Sequence, residues 1–375
     1  MLTAVPDGTA QQPSSAAASR PTLQQQLQAK FDELHKAANF PGGTAGFVLS
    51  DGSSFALAVG VSDRTTKAPM KTTDRLLLGS VGKTYVSAVA LQMIHEKKFR
   101  LDDTLDKFFG DAAWFSRLAN ATKITVRHLM THTSGIVRYE LNPKFTKDLS
   151  ANPDKVWTGE ERLAYLLDAT PPFAPGEGWE YSDTNYIVLG MIIERVGGIP
   201  YYEQLKKRVL EPHGLKDTVA ADSRTVPGLV QGYAGADNPF GGTDEMITDG
   251  RFAVNPQFEW TGGGLAVTSL DLARWGKLLY EGKALPPQMM ATLLDGVPAR
   301  LGPESKYGLG VIIRPSPLGI TYGHSGFMPG YQTELVYFPD LEIAIAVQVN
   351  SSARGATGRS LRAFAIEFAG IVKAQ

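Results

Sequence analysis

The chain has 375 residues, of which 43% are hydrophobic and 20% are charged, and its formal net charge is −1. This composition is ordinary for a globular protein of one large or two closely associated domains. The balanced charge does not favour nucleic acid or an anionic membrane as a partner. The chain contains no cysteine, which excludes disulfides, thiol nucleophiles and cysteine-ligated zinc. No apolar run in the sequence approaches the roughly 18 residues that a membrane-spanning helix needs.

The N-terminal segment is rich in alanine, serine, glutamine and proline. It lacks the basic stretch followed by an apolar stretch that marks a signal peptide. We interpret residues 1–21 as a disordered leader, either the remnant of an export signal or a flexible cytosolic tail. The first interpretation predicts a periplasmic or secreted protein, and the second predicts a cytoplasmic one.

The first quarter of the chain is predicted to contain two helices and a hairpin. Apolar spacing predicts a helix over Leu23–Ala38. Two β-rich runs, Thr44–Leu49 and Ser54–Val61, are joined by Asp51-Gly52, which is a strong hairpin signal. A long and mostly buried helix is predicted from Ser80 towards Lys97.

The middle of the chain, from Leu101 to Gly214, is predicted to be mainly helical, with helical periodicity over Glu160–Ala169 and Tyr186–Val196. The C-terminal third is predicted to contain the helices Leu270–Tyr280 and Leu361–Val372 and the strands Tyr307–Arg314, Tyr331–Phe338 and Leu341–Val349. Because strands cluster at both ends, we expect one sheet built from both. The predicted domains are an α/β sheet domain over 22–85 and 262–375, and a mainly helical domain over 86–261.

Ser80-Val81-Gly82-Lys83 supplies the first candidates for catalysis. An apolar run precedes Ser80 and a helix follows it, so the serine lies at a helix N-terminus that favours developing negative charge. Residues three apart share a helix face, so the Lys83 amine can reach the Ser80 hydroxyl. A desolvated lysine there could lose its proton near neutral pH and act as a base. The alternative is an ordinary N-cap serine and a solvated lysine.

The segment Tyr181-Ser182-Asp183 lies in a loop that enters an apolar helix. From such a loop a tyrosine can shuttle protons between a nucleophile and a leaving group. Taken singly, Tyr181 is also explained by packing and Asp183 by helix capping.

The segment His324-Ser325-Gly326-Phe327 lies between two predicted strands. Its small residues allow an extended backbone to approach a bound substrate closely. A main-chain N–H from this segment, paired with that of Ser80, would form an oxyanion hole, whose donors typically contribute about 3 kcal/mol to the barrier. His324 alone would more often be structural.

Together these motifs resemble those of the penicillin-recognising serine hydrolases, which include class C β-lactamases, serine D-Ala-D-Ala carboxypeptidases, D-aminopeptidases and β-lactamase-like esterases. The resemblance runs from about Leu23 to the last helix and includes Ile124–Gly135, Tyr181–Gly190 and Trp260–Leu265. It implies an α/β, β-lactamase/transpeptidase-like fold, with an antiparallel sheet flanked by helices and an all-helical domain beside a cleft. It implies no cofactor and a small-molecule or peptide acyl substrate, and it leaves the oligomeric state open.

The resemblance also implies roles for single residues. Ser80 is acylated, Lys83 and Tyr181 act as bases, and the N–H groups of Ser80 and Phe327 form the oxyanion hole. Supporting positions are Asp183, His324, Ser325 and Gly326. The candidate substrate-binding residues are Trp260, for which buried packing is the alternative, and Arg314.

Three positions depart from the family pattern. The second motif usually ends in asparagine, and the carboxylate of Asp183 could pair with Lys83 or discourage acidic substrates. His324-Ser325-Gly326 stands where class C β-lactamases carry Lys-Thr-Gly, and it resembles the peptidase and esterase branches. Some carboxypeptidases hold the substrate carboxylate with an arginine where this chain has Ile312. Arg314, two residues further on the same strand face, is the possible substitute.

The predicted function is hydrolysis of a carboxylester or of a D-amino-acid peptide or amide through a Ser80 acyl-enzyme. One alternative is a D-Ala-D-Ala carboxypeptidase or penicillin-binding protein with slow β-lactam turnover. Another is a non-catalytic penicillin-type sensor domain. His128 and His132 have the spacing of a metal pair, but the glutamate of the metalloprotease arrangement is missing, so no metal site is predicted.

Overall fold

The computed structural model describes residues 21–375, so the predicted leader, except for its last residue, lies outside the described residues. The α-helices of the described part are α1 Leu23–Ala37, α2 Lys83–His95, α3 Asp106–Phe109, α4 Val126–Thr131, α5 Pro143–Ala151, α6 Gly159–Leu163, α7 Asp183–Gly197, α8 Tyr201–Leu205, α9 Ser269–Tyr280, α10 Gln288–Leu293 and α11 Leu361–Lys373. The strands are β1 Gly42–Val48, β2 Ser54–Gly60, β3 Leu76–Leu77, β4 Thr218–Ala220, β5 Ile247–Thr248, β6 Arg251–Phe252, β7 Leu265–Val267, β8 Val297–Pro298, β9 Lys306–Tyr307, β10 Ile312–Ser316, β11 Gly319–Met328, β12 Tyr331–Phe338 and β13 Ile343–Val349.

The main sheet has eight strands in the order β2-β1-β13-β12-β11-β10-β9-β8, and every neighbouring pair is antiparallel. The central strands β1 and β13 come from opposite ends of the chain and pair from Gly43 with Val349 to Val48 with Ala344. Every residue of both strands is buried, since helices cover both faces. The predicted fold class, with one sheet built from both ends of the chain, is confirmed, whereas the domain boundaries stay a prediction.

One face of the sheet is covered by α1 and α11, and the other by α9. The apolar stripe of α1 forms because Leu27, Phe31 and Leu34 recur at helical spacing and are buried. Phe368 of α11 packs edge-on against Phe31 and Phe47 at ring distances of 5.6 and 5.4 Å. Helix α11 lies against β12 and β13, and the 3₁₀ turn of residues 79–82 packs against β11.

Three predicted elements differ from the structure. The helix expected from Ser80 begins at Lys83, because residues 79–82 form a 3₁₀ turn. The single strand expected over Tyr307–Arg314 is broken into β9 and β10 at Gly310, which has φ +82° and lies where a side chain would meet the Ser87 hydroxyl. The helix expected over Glu160–Ala169 ends at Leu163 and continues only as turns.

The helical part of the chain is organised around α2 and α7. Both helices are buried along most of their length and pack against each other. The 3₁₀ turn that precedes α2 contacts β11, and Tyr181, two residues before α7, lies with its ring centre 6.1 Å from that of His324 in β11. Among residues 21–375, no helix combines the length and apolar character needed to cross a membrane.

Candidate active site

Ser80 lies in the 3₁₀ turn between β3 and α2, directly against β11. Gly79 has φ +51°, and a Cβ atom there would lie 2.3 Å from the Phe327 carbonyl oxygen. A Cβ atom on Gly326 would lie 1.9 Å from the carbonyl oxygen of Leu78. Only glycine fits at these two contacts. They bring the first and third sequence motifs together at Ser80.

The Lys83 side chain is fully buried beside Ser80. Its Nζ donates to Ser80 Oγ at 3.0 Å, to the Gly262 carbonyl oxygen at 2.6 Å and to Asp183 Oδ1. An ammonium has three N–H donors and no acceptor. Three acceptors around one nitrogen are the surroundings of a charged lysine, since a neutral amine would point its lone pair at one of them.

The charge states of Lys83 and Asp183 follow from the ion pair between them. Burial disfavours the ammonium, but the neighbouring carboxylate outweighs it and raises the pKa of Lys83 above its ordinary value. Burial likewise disfavours the carboxylate, but Lys83 and then Arg138 hold the pKa of Asp183 well below its usual range. The pairing suggested by Asp183 is therefore present and favours the ammonium form of Lys83, whereas the role of Lys83 as a base stays a prediction.

Tyr181 lies on the other side of Lys83, whose Nζ is 5.0 Å from the centre of the phenol ring. Its hydroxyl is buried and has no hydrogen-bond partner within residues 21–375. Burial raises the pKa of Tyr181 to about 12, although the charge of Lys83 opposes this by favouring the phenolate. Tyr181 is thus a neutral phenol at neutral pH, with one O–H to donate and a lone pair to accept.

His324 holds a fixed neutral form. Its Nδ1 is 2.7 Å from the Ser325 carbonyl oxygen, which can only accept, so Nδ1 carries the proton. Its Nε2 must then accept from the Tyr307 hydroxyl at 2.9 Å. Burial is the main cause that lowers the pKa of His324 to about 3. The histidine is therefore a structural wall of the site, 6.1 Å from the Tyr181 ring.

Sequence reasoning missed Arg138 and Glu140, which lie beside Asp183. Arg138 Nε donates to Glu140 Oε1 at 2.5 Å, and Nη2 donates to Asp183 Oδ2 at 3.4 Å. Burial and the nearby Asp183 carboxylate raise the pKa of Glu140 well above its ordinary value. Both residues lie within five positions after the Ile124–Gly135 segment. This closeness to a family segment is the feature of the sequence that could have identified them as site residues.

Glu259 is a second missed carboxyl group, immediately before the Trp260–Leu265 segment. It is 9% exposed, and its Oε2 lies close to Gly262, the residue whose carbonyl oxygen accepts from Lys83. Burial and then Asp183 raise the pKa of Glu259 to about 7, although Lys83 opposes this. Near Ser80, therefore, Lys83 lowers the pKa of one carboxyl group, Asp183, whereas burial raises the pKa of two others, Glu140 and Glu259.

Replacing Glu259 with glutamine is expected to stabilise the protein at alkaline pH relative to acidic pH. A carboxyl group whose folded pKa exceeds its unfolded value of about 4.3 costs stability as pH rises between the two values. The free energy of unfolding of Glu259→Gln minus that of wild type should grow by about 1–3 kcal/mol between about pH 5 and about pH 8. Urea denaturation at both pH values measures this difference.

A matched control is Glu203→Gln, because the Glu203 side chain is 57% exposed and its ion pair lies in solvent. Its stability difference from wild type should change little with pH. If the Glu259→Gln difference were equal at both pH values, ionisation of Glu259 would not oppose folding.

The two predicted substrate-binding residues, Trp260 and Arg314, have different surroundings. Trp260 is 8% exposed, with the Arg162 guanidinium 5.6 Å from its ring centre and the Tyr201 ring edge-on at 6.3 Å. Buried packing accounts for these contacts, and its substrate-binding role stays a prediction. The Arg314 guanidinium is 4.0 Å from Glu334, the residue opposite Ser325 in the sheet. Its charge is matched within the protein, and its substrate role stays a prediction.

The two histidines with metal-pair spacing have separate hydrogen bonds. His128 Nδ1 accepts from the Thr125 N–H in the capping box of α4. His132 Nδ1 accepts from the Ser182 N–H at 3.3 Å, and its ring lies 4.2 Å from that of Tyr181. His132 thus positions the second motif.

Comparison with known proteins places this site in a family. The family model described as Beta-lactamase matches residues 27–369. The chain belongs to the beta-lactamase family. Its curated relatives include penicillin-binding proteins, an esterase and D-aminopeptidases. The resemblance stated from the motifs is confirmed, and the protein is a serine hydrolase of the beta-lactamase family.

The individual relatives have low sequence identity to this chain, but the similarity extends over most of its length. Penicillin-binding protein 4* of Bacillus subtilis is 26% identical over 84% of this chain and 69% of its own length. Esterase EstB of Burkholderia gladioli is 25% identical over 84% of this chain and 90% of its own length. The crystal structure of a D-stereospecific amidohydrolase from Streptomyces sp. superposes with a TM-score of 0.73 at 26% identity, covering 88% of this chain and 93% of that one.

Proposed function

We propose that this protein hydrolyses carboxylesters or D-amino-acid peptides or amides through an acyl-enzyme on Ser80. The observation that carries this proposal is the 3.0 Å hydrogen bond from Lys83 Nζ to Ser80 Oγ beside the unpartnered hydroxyl of Tyr181, within the described residues. The printed names of an esterase and a D-stereospecific amidohydrolase among the similar proteins support these substrate classes.

Acylation forms the bond between Ser80 Oγ and the substrate acyl carbon, and it breaks the bond between that carbon and the leaving oxygen or nitrogen. Tyr181 accepts the Ser80 proton and donates its own proton to the leaving group, so it is a neutral phenol before and after. Lys83 keeps its proton and stabilises the developing Ser80 alkoxide by charge. In this proposal Tyr181 transfers the protons and Lys83 supplies the charge, whereas the sequence motifs predict that Lys83 acts as a base.

The main-chain N–H groups of Ser80 and Phe327 are the proposed oxyanion donors. They belong to two segments that touch where Gly79 meets the Phe327 carbonyl oxygen. Such donors act on the negative charge of the tetrahedral intermediate, and each typically contributes about 3 kcal/mol.

Deacylation repeats the relay in the opposite direction. A water molecule attacks the acyl carbon and gives one proton to Tyr181, while the Tyr181 proton returns to Ser80 Oγ as the ester bond breaks. The products are the free carboxylic acid and the original serine.

A phosphonylating probe tests the assignment of the nucleophile. A fluorophosphonate is expected to label one equivalent of protein at Ser80, as found by peptide mapping, and to abolish hydrolysis of para-nitrophenyl butyrate and D-phenylalanine amide in parallel. Labelling at another residue, or hydrolysis that survives complete labelling, would contradict the proposal. A one-equivalent burst of nitrophenol without turnover would support the sensor alternative instead.

A further inference from the structure

Arg138 has a guanidinium group whose N–H donors are only partly paired with other described residues. Its side chain is 32% exposed. Nε donates to Glu140 and Nη2 to Asp183, whereas Nη1 donates to no residue within 21–375. An arginine has five N–H donors in a rigid planar fork that matches a carboxylate. Donors therefore remain at the exposed end of this side chain.

This guanidinium lies next to the reacting groups. Its central carbon is 5.7 Å from the centre of the Tyr181 ring. Asp183, to which it donates, also accepts from Lys83, and Lys83 donates to Ser80. One carboxylate thus separates Arg138 from the ammonium at the nucleophile. The free donors of Arg138 therefore lie beside the groups that surround Ser80.

Two cations, Lys83 and Arg138, lie at this position. Asp183 is an ion-pair partner of both, and Glu140 is a second ion-pair partner of Arg138. Because the charge of Asp183 is already matched by Lys83, the donors of Arg138 that Asp183 and Glu140 leave free are the groups that an anion would meet.

The contacts with Glu140 and Asp183 also hold the guanidinium in place before any ligand arrives. A side chain that is already fixed loses little conformational entropy on binding. Charge-assisted hydrogen bonds from arginine to a carboxylate are about twice as strong as neutral ones. These features are those of a specificity residue rather than of a surface charge.

We propose that Arg138 binds a carboxylate of the substrate, so that the enzyme prefers esters or amides bearing a negative charge to neutral ones of the same size. This inference rests on the proposed function, because it assigns the substrate class of the same site. The carboxylate belongs either to the acyl part or to the leaving group, and the substrates below distinguish the two.

The test compares pairs of esters that differ in one charge. The acyl pair is para-nitrophenyl hemisuccinate and its methyl ester, and the leaving-group pair is para-acetoxybenzoate and its methyl ester. For at least one pair we expect the wild type to have a higher kcat/KM for the charged member. In Arg138→Gln this ratio should fall about tenfold, mainly through KM, since a charge-assisted hydrogen bond is lost.

Two further variants sharpen the result. Arg138→Lys keeps the charge but not the planar fork, and it should retain part of the preference. Arg195→Gln removes an equal charge from an arginine that is 49% exposed and paired with Asp111, and it should leave both ratios unchanged. Thermal unfolding confirms that each variant is folded. An unchanged ratio for both pairs in Arg138→Gln would overturn the inference.

Failure of the proposed function has a different signature. If the wild type hydrolysed neither member of any pair, the hydrolase proposal would fail, and binding would decide the role of Arg138. Calorimetry with para-nitrophenyl hemisuccinate on Ser80→Ala protein should then show about tenfold weaker binding when Arg138→Gln is added. Equal affinity with and without Arg138 would reject the carboxylate site.

Discussion

The Ser80→Ala variant is expected to lose about a thousandfold or more of kcat for every ester or amide that the wild type hydrolyses. The substitution removes the oxygen that accepts from Lys83 at 3.0 Å and would form the covalent bond to the acyl carbon. Lys83 would keep its other two acceptors, Asp183 and Gly262. The substitution therefore removes the nucleophile while leaving its surroundings in place, and steady-state kinetics with para-nitrophenyl butyrate measures the loss.

A matched control lies on the same helix. Ser87→Ala removes a buried hydroxyl of α2, whose neighbour is the Tyr186 hydroxyl at 3.3 Å. This variant should keep kcat within a few-fold of wild type, because no proposed step involves Ser87. Hydrolysis by Ser80→Ala at the wild-type rate, after exclusion of contaminating esterases by active-site titration, would remove Ser80 from the mechanism.

Asp183→Ala is expected to lower the free energy of unfolding by about 3–5 kcal/mol at neutral pH, because it leaves the buried Lys83 ammonium without its main partner. Arg138 would lose its contact with Asp183 as well. The alternative for Lys83 is to release its proton, which forfeits the charge that stabilises the Ser80 alkoxide. Activity and stability should therefore fall together, as measured by urea denaturation and by kcat.

Asp183→Asn provides the comparison, since it keeps the size and an acceptor oxygen while removing the charge. It should destabilise less than alanine, and it should lower the pKa of Lys83 because burial would no longer be outweighed. The pair stabilises the wild type between the unfolded pKa of aspartate, about 3.9, and that of lysine, about 10.4. The contribution is lost as pH falls through the folded pKa of Asp183 or rises through that of Lys83. An unchanged urea midpoint in both variants at neutral pH would contradict this account.

Much of the fold could be predicted because its elements carry local signals. The helix Leu23–Ala37, the hairpin strands, β12 and α11 all show regular apolar spacing, and each was expected within two residues of its observed bounds. The three motifs also predicted that Ser80, Lys83 and Tyr181 lie close together. The contact between Lys83 and Ser80 was predictable because a single helix turn fixes it.

The parts that could not be predicted depend on contacts between distant segments. The charge of Lys83 is set by Asp183, and whether burial or pairing prevails is a matter of three-dimensional surroundings. Arg138 and Glu259 approach the site from loops without periodicity, so the chain pattern does not place them. Trp260 packs against Arg162 and Tyr201, which are distant in the sequence, so apolar spacing does not reveal these contacts.

The pairing of β1 with β13 has a consequence for synthesis on the ribosome. Strand β1 pairs with β2 along one edge and with β13 along the other. Because β13 ends at Val349, the second edge of β1 stays unpaired until most of the chain has been translated. Phe327, a proposed oxyanion donor, is likewise translated long after Ser80. The nascent chain therefore carries an incomplete site and an unpaired strand edge for most of its translation. We expect the yield of folded protein to depend on chaperones that shield apolar strand edges.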